Sequence, residues 1–315
     1  MKVLVCAMEA SSNIHLKELK KYLSHDVKLV GVFDKELGNP LYDLTALAIM
    51  GIVDALKKLR FFFKLRDELV DLAKDCDKVL LMDSSGFNLP LAKKLRETYP
   101  NKEIIYYILP QAWAWKKGRV KKLEAYCAKL CSIIPFESEI YNDKNKITYV
   151  GHPLLDEIKD FKQELVNTNK IAFMPGSRKT EITNLMPIFR ELIKKMPNKE
   201  YILIIPAKFD DDYIKKIYGD ISNFTISKNT HKTLQESEYA FICSGTATLE
   251  AALIGTPFTL SYIAKKIDYF IGSLFVKLNH VGLANIFFEK MGKSTLHSEF
   301  LQSDVTVENL FNDYQ

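Results

Sequence analysis

Several features that would place this sequence in a special class are missing from it. No stretch approaches the roughly 18 consecutive apolar residues that a membrane-spanning helix requires. The apolar run at residues 1–8 is broken by Glu9, is too short for the core of a signal peptide, and fits a buried parallel strand better. Lysine and arginine number 44 against 39 acidic residues, a net charge of only +5, which leaves anionic substrates and membrane surfaces open but predicts no nucleic-acid partner.

Cysteine and metal-ligand patterns are also sparse. The five cysteines are an odd and scattered set, at Cys6, Cys76, Cys127, Cys131 and Cys243. Cys127 and Cys131 could share a helix face, but no second pair or nearby histidine completes a metal site. We expect free thiols in a reducing cytosol and no bound metal.

The composition that is present suits a globular protein of two domains. Hydrophobic residues make up 47% and charged residues 26% of 315 positions. That length exceeds one ordinary core and accommodates two α/β domains. We predict a first domain over residues 1–160 and a second over residues 161–315, with the polar stretch 162–170 as the linker.

Short apolar runs alternate with helical patterns along the chain. In the first domain, strands are predicted at Lys2–Met8, Lys28–Phe33, Lys78–Met82, Ile104–Ile108, Lys129–Ile134 and Thr148–Val150. In the second, they are predicted at Ile171–Met174, Tyr201–Ile205, Phe224–Ile226, Tyr239–Cys243 and Phe258–Tyr262. The alternation favours two Rossmann-like, doubly wound α/β domains with parallel sheets, facing each other across a cleft. Neither has the G-x-G-x-x-G turn of NAD and FAD enzymes, and no cofactor is expected.

Two small-residue turns in the second half follow strand-like runs and open into helical patterns. They are the stretches 173–178 (FMPGSR) and 243–250 (CSGTATLE). Backbone N–H groups at such a turn, backed by a helix N-terminus, bind anions, and Arg178 adds a guanidinium suited to phosphate. Together the two turns predict a nucleotide-diphosphate site.

A segment of aromatic and basic residues, 46–70, admits two interpretations. It contains Phe61, Phe62 and Phe63 interleaved with basic residues that include Lys64 and Arg66. A core-packed amphipathic helix with a solvated basic face is the simpler interpretation. The other is a surface for an anionic membrane or acyl chains, because helices of this composition favour such interfaces.

A series of motifs covers essentially the whole chain. They are residues 9–11 (EAS), 50–51 (MG), 83–88 (DSSGFN), 107–119 (YILPQAWAWKKGR), 134–137 (IPFE), 151–154 (GHPL), 175–178 (PGSR), 244–250 (SGTATLE) and 283–285 (LAN). In this order they resemble the lipid-A-disaccharide synthase family, for which the W-A-W and P-G-S-R elements are specific. The resemblance implies the two-domain GT-B architecture and catalysis without a metal.

The implied reaction is a glycosyl transfer with inversion. It joins UDP-2,3-diacylglucosamine to 2,3-diacylglucosamine 1-phosphate (lipid X), and gives lipid A disaccharide 1-phosphate and UDP. The resemblance also implies a cytoplasmic enzyme that lies peripherally on the inner face of the cytoplasmic membrane and contacts its anionic surface. A homodimer is left open.

By resemblance, the catalytic residues lie in the first domain. Asp83 follows an apolar strand and is the candidate base for the acceptor 6-hydroxyl, although a helix cap would also be an Asp there. Glu9 is the second catalytic candidate and Ser11 a substrate-binding one, because both follow the first strand in the same way. Family members usually have Gly-Asp where this chain has Ser12-Asn13, which puts any role of that missing Asp in doubt. They often have a second Asp where this chain has Gly86, so the base is placed on Asp83 alone.

The nucleotide-binding residues are assigned to the second domain, also by resemblance. Arg178 would bind the UDP diphosphate, unless it is only a structural arginine at a turn. Glu250 would accept the ribose hydroxyls, although a helix dipole alone also favours Glu in a first turn. The remaining substrate-binding candidates are Gly176, Ser177, Ser244, Gly245, Thr246, Asn285 and Gln302.

Three other residues have less specific signals. Trp113 and Trp115 precede a basic run and are either core and rim aromatics or a contact for the acceptor phosphate and lipid headgroups. His152 is interpreted as a hinge or packing residue rather than a catalyst.

Family members usually continue for further helices past the position of Gln315, so we expect a weakened interdomain geometry in this chain.

Two alternative functions remain on the sequence. One is a UDP-sugar 2-epimerase of the same architecture, which would not require the segment 46–70 or a lipid acceptor. The other is a non-catalytic nucleotide-sugar or lipid-binding protein. Asn13 and Gly86 leave that reading open, whereas Asp83, Glu9 and Arg178 argue against it.

Overall fold

Two parallel β-sheets organise the chain, one in each of two units. The computed structural model describes residues 1–43, 55–114, 117–165, 167–207, 209–243, 245–263 and 279–315. Its units are Met1–Glu157 and Ile158–Gln315, whereas the sequence prediction placed the division after residue 160. Among the described residues, every strand pairing is parallel. The α/β fold class is confirmed.

The first unit contains the larger sheet. Its strands are β1 Lys2–Ala7, β2 Lys28–Phe33, β3 Tyr42–Asp43, β4 Lys78–Met82, β5 Glu103–Tyr107, β6 Lys129–Ser132 and β7 Ile147–Tyr149. Its described helices are α1 Ala10–Lys20, α2 Ala55–Ala73, α3 Ser85–Thr98, α4 Gly118–Tyr126 and α5 Leu154–Glu157. The strand order is β3-β2-β1-β4-β5-β6-β7.

Helices cover both faces of this sheet, which is why its strands are apolar without alternation. On one face, Leu4 and Leu81 pack with Leu69 of α2. On the other, Val5 packs in a cluster with Leu16 of α1. Burial on both faces fixes the strands, so their carboxyl ends are held at one edge.

The second unit repeats the design. Its strands are β8 Lys170–Met174, β9 Glu200–Ile204, β10 Thr225–Ser227, β11 Tyr239–Cys243, β12 Phe258–Tyr262 and β13 Glu299–Leu301. Its described helices are α6 Lys179–Leu192, α7 Asp211–Tyr218, α8 Thr230–Glu236, α9 Thr246–Ile254, α10 Leu283–Lys290 and α11 Val307–Tyr314. The strand order is β10-β9-β8-β11-β12-β13.

An aromatic cluster fills one face of the second sheet. The rings of Phe173 and Phe241, on neighbouring strands, stack with centroids 5.3 Å apart. Phe189 of α6 meets Phe173 edge-on at 5.1 Å. Offset and edge-on pairs of this kind contribute roughly 0.5–1.5 kcal/mol each beyond the area they bury, and they place α6 directly against β8.

The order of strands reverses direction once in each sheet. In the first, β1 lies between β2 and β4, and in the second, β8 lies between β9 and β11. Ligands of open parallel sheets bind outside the carboxyl ends of the strands at such a reversal. Glu9 and Asp83 follow β1 and β4, and Arg178 follows β8, so the sequence candidates stand at these two positions.

Candidate active site

The turn after β4 holds Asp83 in an uncommon backbone conformation. Asp83 and Ser84 have φ angles of 48° and 40°, in the left-handed region that non-glycine residues rarely adopt. The amide Nδ2 of Asn88 donates to the carbonyl oxygens of Met82 and Asp83, both at 3.0 Å. The hydroxyl of Tyr106 also donates to the Asp83 carbonyl oxygen. The Asn88 amide and the Tyr106 hydroxyl therefore hold this strained conformation in place, and strained residues persist only where the surrounding structure fixes them in this way.

A similar amide fixes the turn after β1. Nδ2 of Asn13 donates to the carbonyl oxygens of Ala7 at 2.9 Å and Glu9 at 2.8 Å. Its Oδ1 accepts the N–H of Asp34 at 2.7 Å. A carboxylate in place of Asn13 could not donate to either carbonyl, so the departure from the family pattern has a structural use here. Gly86, the other departure, is exposed on α3, and a Cβ there would meet nothing within 4 Å.

The carboxyl group of Asp83 is half-buried, whereas Glu9 and Ser11 are exposed. Burial raises the pKa of Asp83, and the negative charge of Glu9 raises it further. A hydrogen bond from the Ser84 N–H and the charge of His15 act in the opposite direction. The Ser84 hydroxyl donates to Glu9 Oε1 at 3.2 Å and so links the two turns. Glu9 and Asp83 are thus brought together, and Asp83 becomes a stronger base than an ordinary aspartate.

A second group near these turns was not found from the sequence. His15 Nδ1 lies 2.9 Å from Glu157 Oε1, and both side chains are mostly buried. The two are 142 positions apart, so no local pattern could have paired them. His152 packs edge-on against His15, and its Nδ1 accepts the Leu154 N–H at 3.2 Å. Burial, with His15 second, lowers the pKa of His152 to about 4, so it is neutral at pH 7.

The turn after β8 is organised around a residue that was also missed, Glu181. Its Oε2 accepts the N–H groups of Ser177 at 3.2 Å and Arg178 at 3.1 Å. Its Oε1 lies 2.7 Å from Nη1 of Arg178. The N–H groups that we expected to cradle phosphate therefore donate to a carboxylate of the chain itself. Glu181 is the third residue of α6, a position where Glu commonly accepts the N-cap N–H, and that spacing was the available signal.

The turn after β11 is partly described. Ser244 lies outside the described residues, so its predicted role has no geometry here. Gly245 precedes α9 with a φ of 139°, which favours glycine, and its carbonyl oxygen accepts the Thr248 hydroxyl at 2.8 Å. Thr246 is exposed and Glu250 is half-buried in α9.

Asn285 makes the hydrogen bonds of a structural residue. Its Nδ2 donates to the carbonyl oxygen of His297 at 2.9 Å and to Glu299 Oε1 at 2.7 Å. Its Oδ1 accepts the N–H groups of Leu296 at 2.7 Å and His297 at 3.2 Å. These four bonds occupy the amide, which ties α10 to the segment before β13. Gln302 follows β13 with a φ of 54° and is half-buried.

One of the two tryptophans packs against an aromatic ring of the same unit. The ring of Trp113 meets Phe136 edge-on at 5.2 Å, whereas Trp115 lies outside the described residues.

No group of three or more His, Cys, Asp or Glu in the described ranges is arranged to hold a metal ion. The sequence has two Asp-x-Asp runs. Asp75–Asp77 precedes β4, where Asp77 accepts the Lys2 N–H at 2.6 Å, and Asp210–Asp212 lies at the start of α7, where Asp210 accepts the Tyr213 N–H at 2.7 Å. Within those ranges no helix combines the length and the apolar character needed to span a bilayer.

Comparison with known structures extends the fold assignment. The chain is similar to the UDP-GlcNAc 2-epimerase of Methanocaldococcus jannaschii in complex with UDP-GlcNAc and UDP, with a TM-score of 0.60 and 13% identity, over 100% of this chain and 92% of that one. It is also similar to the glycotransferase of kitacinnamycin, with a TM-score of 0.51 and 12% identity, over 99% and 88% of the two chains. These likenesses confirm the GT-B fold.

Comparison with known sequences is more specific. The family model for lipid-A-disaccharide synthetase matches residues 3–314. The chain is 48% identical to the lipid-A-disaccharide synthase of Helicobacter pylori strain Shi470, over 99% of this chain and 89% of that protein. It is also 48% identical to that of Campylobacter jejuni strain RM1221, over 99% and 90% of the two. The chain belongs to the lipid-A-disaccharide synthase family of glycosyltransferases.

Proposed function

We propose that this chain transfers the sugar of UDP-2,3-diacylglucosamine to the 6-hydroxyl of lipid X with inversion, and that Asp83 is the base. The observation that carries the proposal is the position of Asp83. Its half-buried carboxyl group, with a raised pKa, stands in a rigid strained turn at the carboxyl end of β4. A raised pKa makes a carboxylate a stronger base, and the fixed turn holds it in one place.

The proton and bond changes follow directly. The acceptor oxygen gives its proton to Asp83 while it forms the new bond to C1 of the donor sugar. The bond from C1 to the diphosphate oxygen breaks, and UDP leaves with the electron pair. Glu9 contributes to this step through its charge, which adds to burial in raising the pKa of Asp83. Ser11 is exposed, and we assign to it a hydrogen bond to the acceptor.

The leaving diphosphate needs positive charge and hydrogen-bond donors. We assign this task to Arg178, whose side chain is 78% exposed, together with the N-terminus of α9 at Gly245 and Thr246. Glu250 is assigned to the ribose hydroxyls. Asn285 is assigned to shaping the segment before β13, and Gln302 to the nucleotide side of the site.

The deciding experiment measures disaccharide formation by mass spectrometry from both substrates without added metal. Wild-type protein should form the product, and Asp83→Asn should reduce kcat by roughly 10²–10⁴, the range for loss of a general base. Asp75→Asn is the matched control, because Asp75 is an exposed aspartate of the same unit. Product formation by Asp83→Asn at the wild-type rate would exclude Asp83 as the base.

Peripheral membrane contact is the second part of the proposal. On α2, Leu59 and Phe63 are 54% and 49% exposed, and the basic residues Arg60 and Lys64 are exposed beside them. Phe61 and Phe62 pack on the core instead. The helix is therefore amphipathic, which is required both of a core-packed helix with a basic face and of a membrane-binding helix. The part of the segment at residues 46–54 lies outside the described residues.

Cosedimentation with vesicles tests this contact. We expect binding to vesicles rich in phosphatidylglycerol and weak binding to phosphatidylcholine alone, because both apolar burial and charge contribute. Phe63→Ser should weaken binding, whereas Phe161→Ser, which changes an equally exposed phenylalanine of the other unit, should not. Equal losses would contradict the assignment to α2.

The homodimer is tested separately, by sedimentation velocity on the protein without vesicles.

The alternatives have less support. The likeness to a 2-epimerase is 13% in sequence and concerns the fold, whereas the synthase relatives are 48% identical over nearly the whole chain. A purely binding protein has no need of a strained base with a raised pKa. Neither alternative is favoured.

A further inference from the structure

The turn between β8 and α6 contains a buried carboxylate to which the proposed reaction assigns no role. Glu181 accepts two backbone N–H groups through one oxygen and contacts the Arg178 guanidinium through the other. Its side chain is only 8% exposed, whereas that of Arg178 is 78% exposed. One carboxylate therefore joins the backbone of the turn to a cation that still extends into solvent.

Gly176 shows how closely this carboxylate and the backbone fit. Its φ of 98° lies in the left-handed region, and a Cβ there would be 2.4 Å from Glu181 Oε2 and 3.2 Å from Cys243 Sγ. The absence of a side chain at position 176 lets the turn close over Glu181. The contact is part of how the turn is built and not an incidental surface ion pair.

The chemistry of the guanidinium explains what such a contact can do. Arginine has five N–H donors in a rigid plane, so one nitrogen can be held by a carboxylate while the others face a phosphate. An exposed arginine without that anchor samples many rotamers, and ordering it on binding costs affinity. The anchored side chain has already lost part of that freedom.

We propose that Glu181 is a positioning residue for the nucleotide diphosphate: it orients Arg178 and takes up the N–H groups of Ser177 and Arg178. The diphosphate is then met at this turn by the Arg178 side chain and not by the turn backbone. This inference rests on the proposed function, in which Arg178 contacts UDP.

Calorimetric titration with UDP on four forms of the full chain tests it. These are wild type, Arg178→Ala, Glu181→Gln and the double variant. The single oxygen of a glutamine can still accept the two N–H groups, but its amide cannot pair with a guanidinium. We expect Glu181→Gln to raise the Kd for UDP about tenfold, within the range of coupling between contacting residues, and to add nothing in the Arg178→Ala background.

A kinetic readout separates positioning from simple stability. Glu181→Gln should raise KM for the UDP-sugar about as much as it raises Kd, with kcat changed far less. The matched control is Glu191→Gln on the same helix, where Glu191 pairs with Lys194 in an exposed contact. That variant should match wild type in both constants.

Each outcome decides one of the claims. Wild-type affinity in Glu181→Gln, or a full additional loss in the double variant, overturns the positioning role and leaves Arg178 as a UDP ligand. A wild type that does not bind UDP, or an Arg178→Ala variant that binds normally, overturns the proposed nucleotide site and this inference with it. If Glu181→Gln does not fold, Glu181→Asp decides, because the shorter side chain keeps the charge but withdraws the carboxylate from Nη1 of Arg178. A raised Kd that disappears in the Arg178→Ala background supports the proposal, and wild-type affinity overturns it.

Discussion

The carboxyl edges of the two sheets satisfy their loop backbones with opposite chemical groups. In the first unit, the side-chain amides of Asn13 and Asn88 donate to backbone carbonyls. In the second, the carboxylate of Glu181 accepts from backbone N–H groups. The folds that support these loops have the same strand order around their reversal points.

The difference decides the charge that each edge presents. The amides of Asn13 and Asn88 are neutral and add no positive charge near Asp83, so burial first and the charge of Glu9 second raise the pKa of Asp83. A carboxylate in the second turn instead attracts Arg178 and holds a cation at the surface. One edge is thereby suited to accept a proton and the other to bind an anion.

The largest effect is expected when a carboxylate replaces one of the amides at the first edge. Asn88→Asp would bury a negative charge against the carbonyl oxygens of Met82 and Asp83. We expect a loss of about 3–5 kcal/mol in the free energy of unfolding, the cost of an uncompensated buried charge. Urea denaturation at pH 8 measures it, with the exposed Asn101→Asp as control. A loss no larger than that of the control would show that the amide is dispensable.

A smaller effect is expected where the second edge needs space. Gly176→Ala puts a methyl group against Glu181 Oε2 and strains a backbone with positive φ. We expect a loss of about 1–3 kcal/mol in unfolding free energy, the usual cost of that strain. The control is Gly86→Ala, since a Cβ there meets nothing within 4 Å and its φ is not positive. If both variants unfold at the same urea concentration, Glu181 does not restrict position 176.

The smallest effect is expected when one negative charge is removed from the first edge. Asp83 must be deprotonated to accept a proton, so the rate rises as pH increases through its pKa. Glu9 raises that pKa, and Glu9→Gln should therefore lower it. The acidic limb of the kcat/KM profile should move to lower pH, whereas Glu97→Gln, in an exposed pair with Lys93, should leave it in place. A shift of the limb to higher pH would contradict the arrangement.

The strands that carry both edges were predictable because each is a continuous apolar run buried on two faces. Two strands were missed, β3 at Tyr42–Asp43 and β13 at Glu299–Leu301. Both are very short edge strands with no apolar run of their own. Their pairing depends on the neighbouring strand more than on local sequence.

The candidate site was predictable only in part, for a related reason. Asp83, Glu9 and Arg178 follow strands directly, and that position is visible in the sequence. The contact of His15 with Glu157 arises from tertiary packing and leaves no local pattern. The roles of the predicted site residues remain predictions until the variants are measured.

The hydrogen bonds of Asn13 and Asn88 also constrain how the chain can vary in length. Each amide reaches back to the last carbonyl of the preceding strand, and in both cases the separation is 6 residues. An insertion or deletion inside either interval would move the amide away from that carbonyl by a full residue. Among relatives that also have Asn at both positions, alignments should therefore be free of gaps at positions 7–13 and 82–88, and tolerated length changes should fall elsewhere.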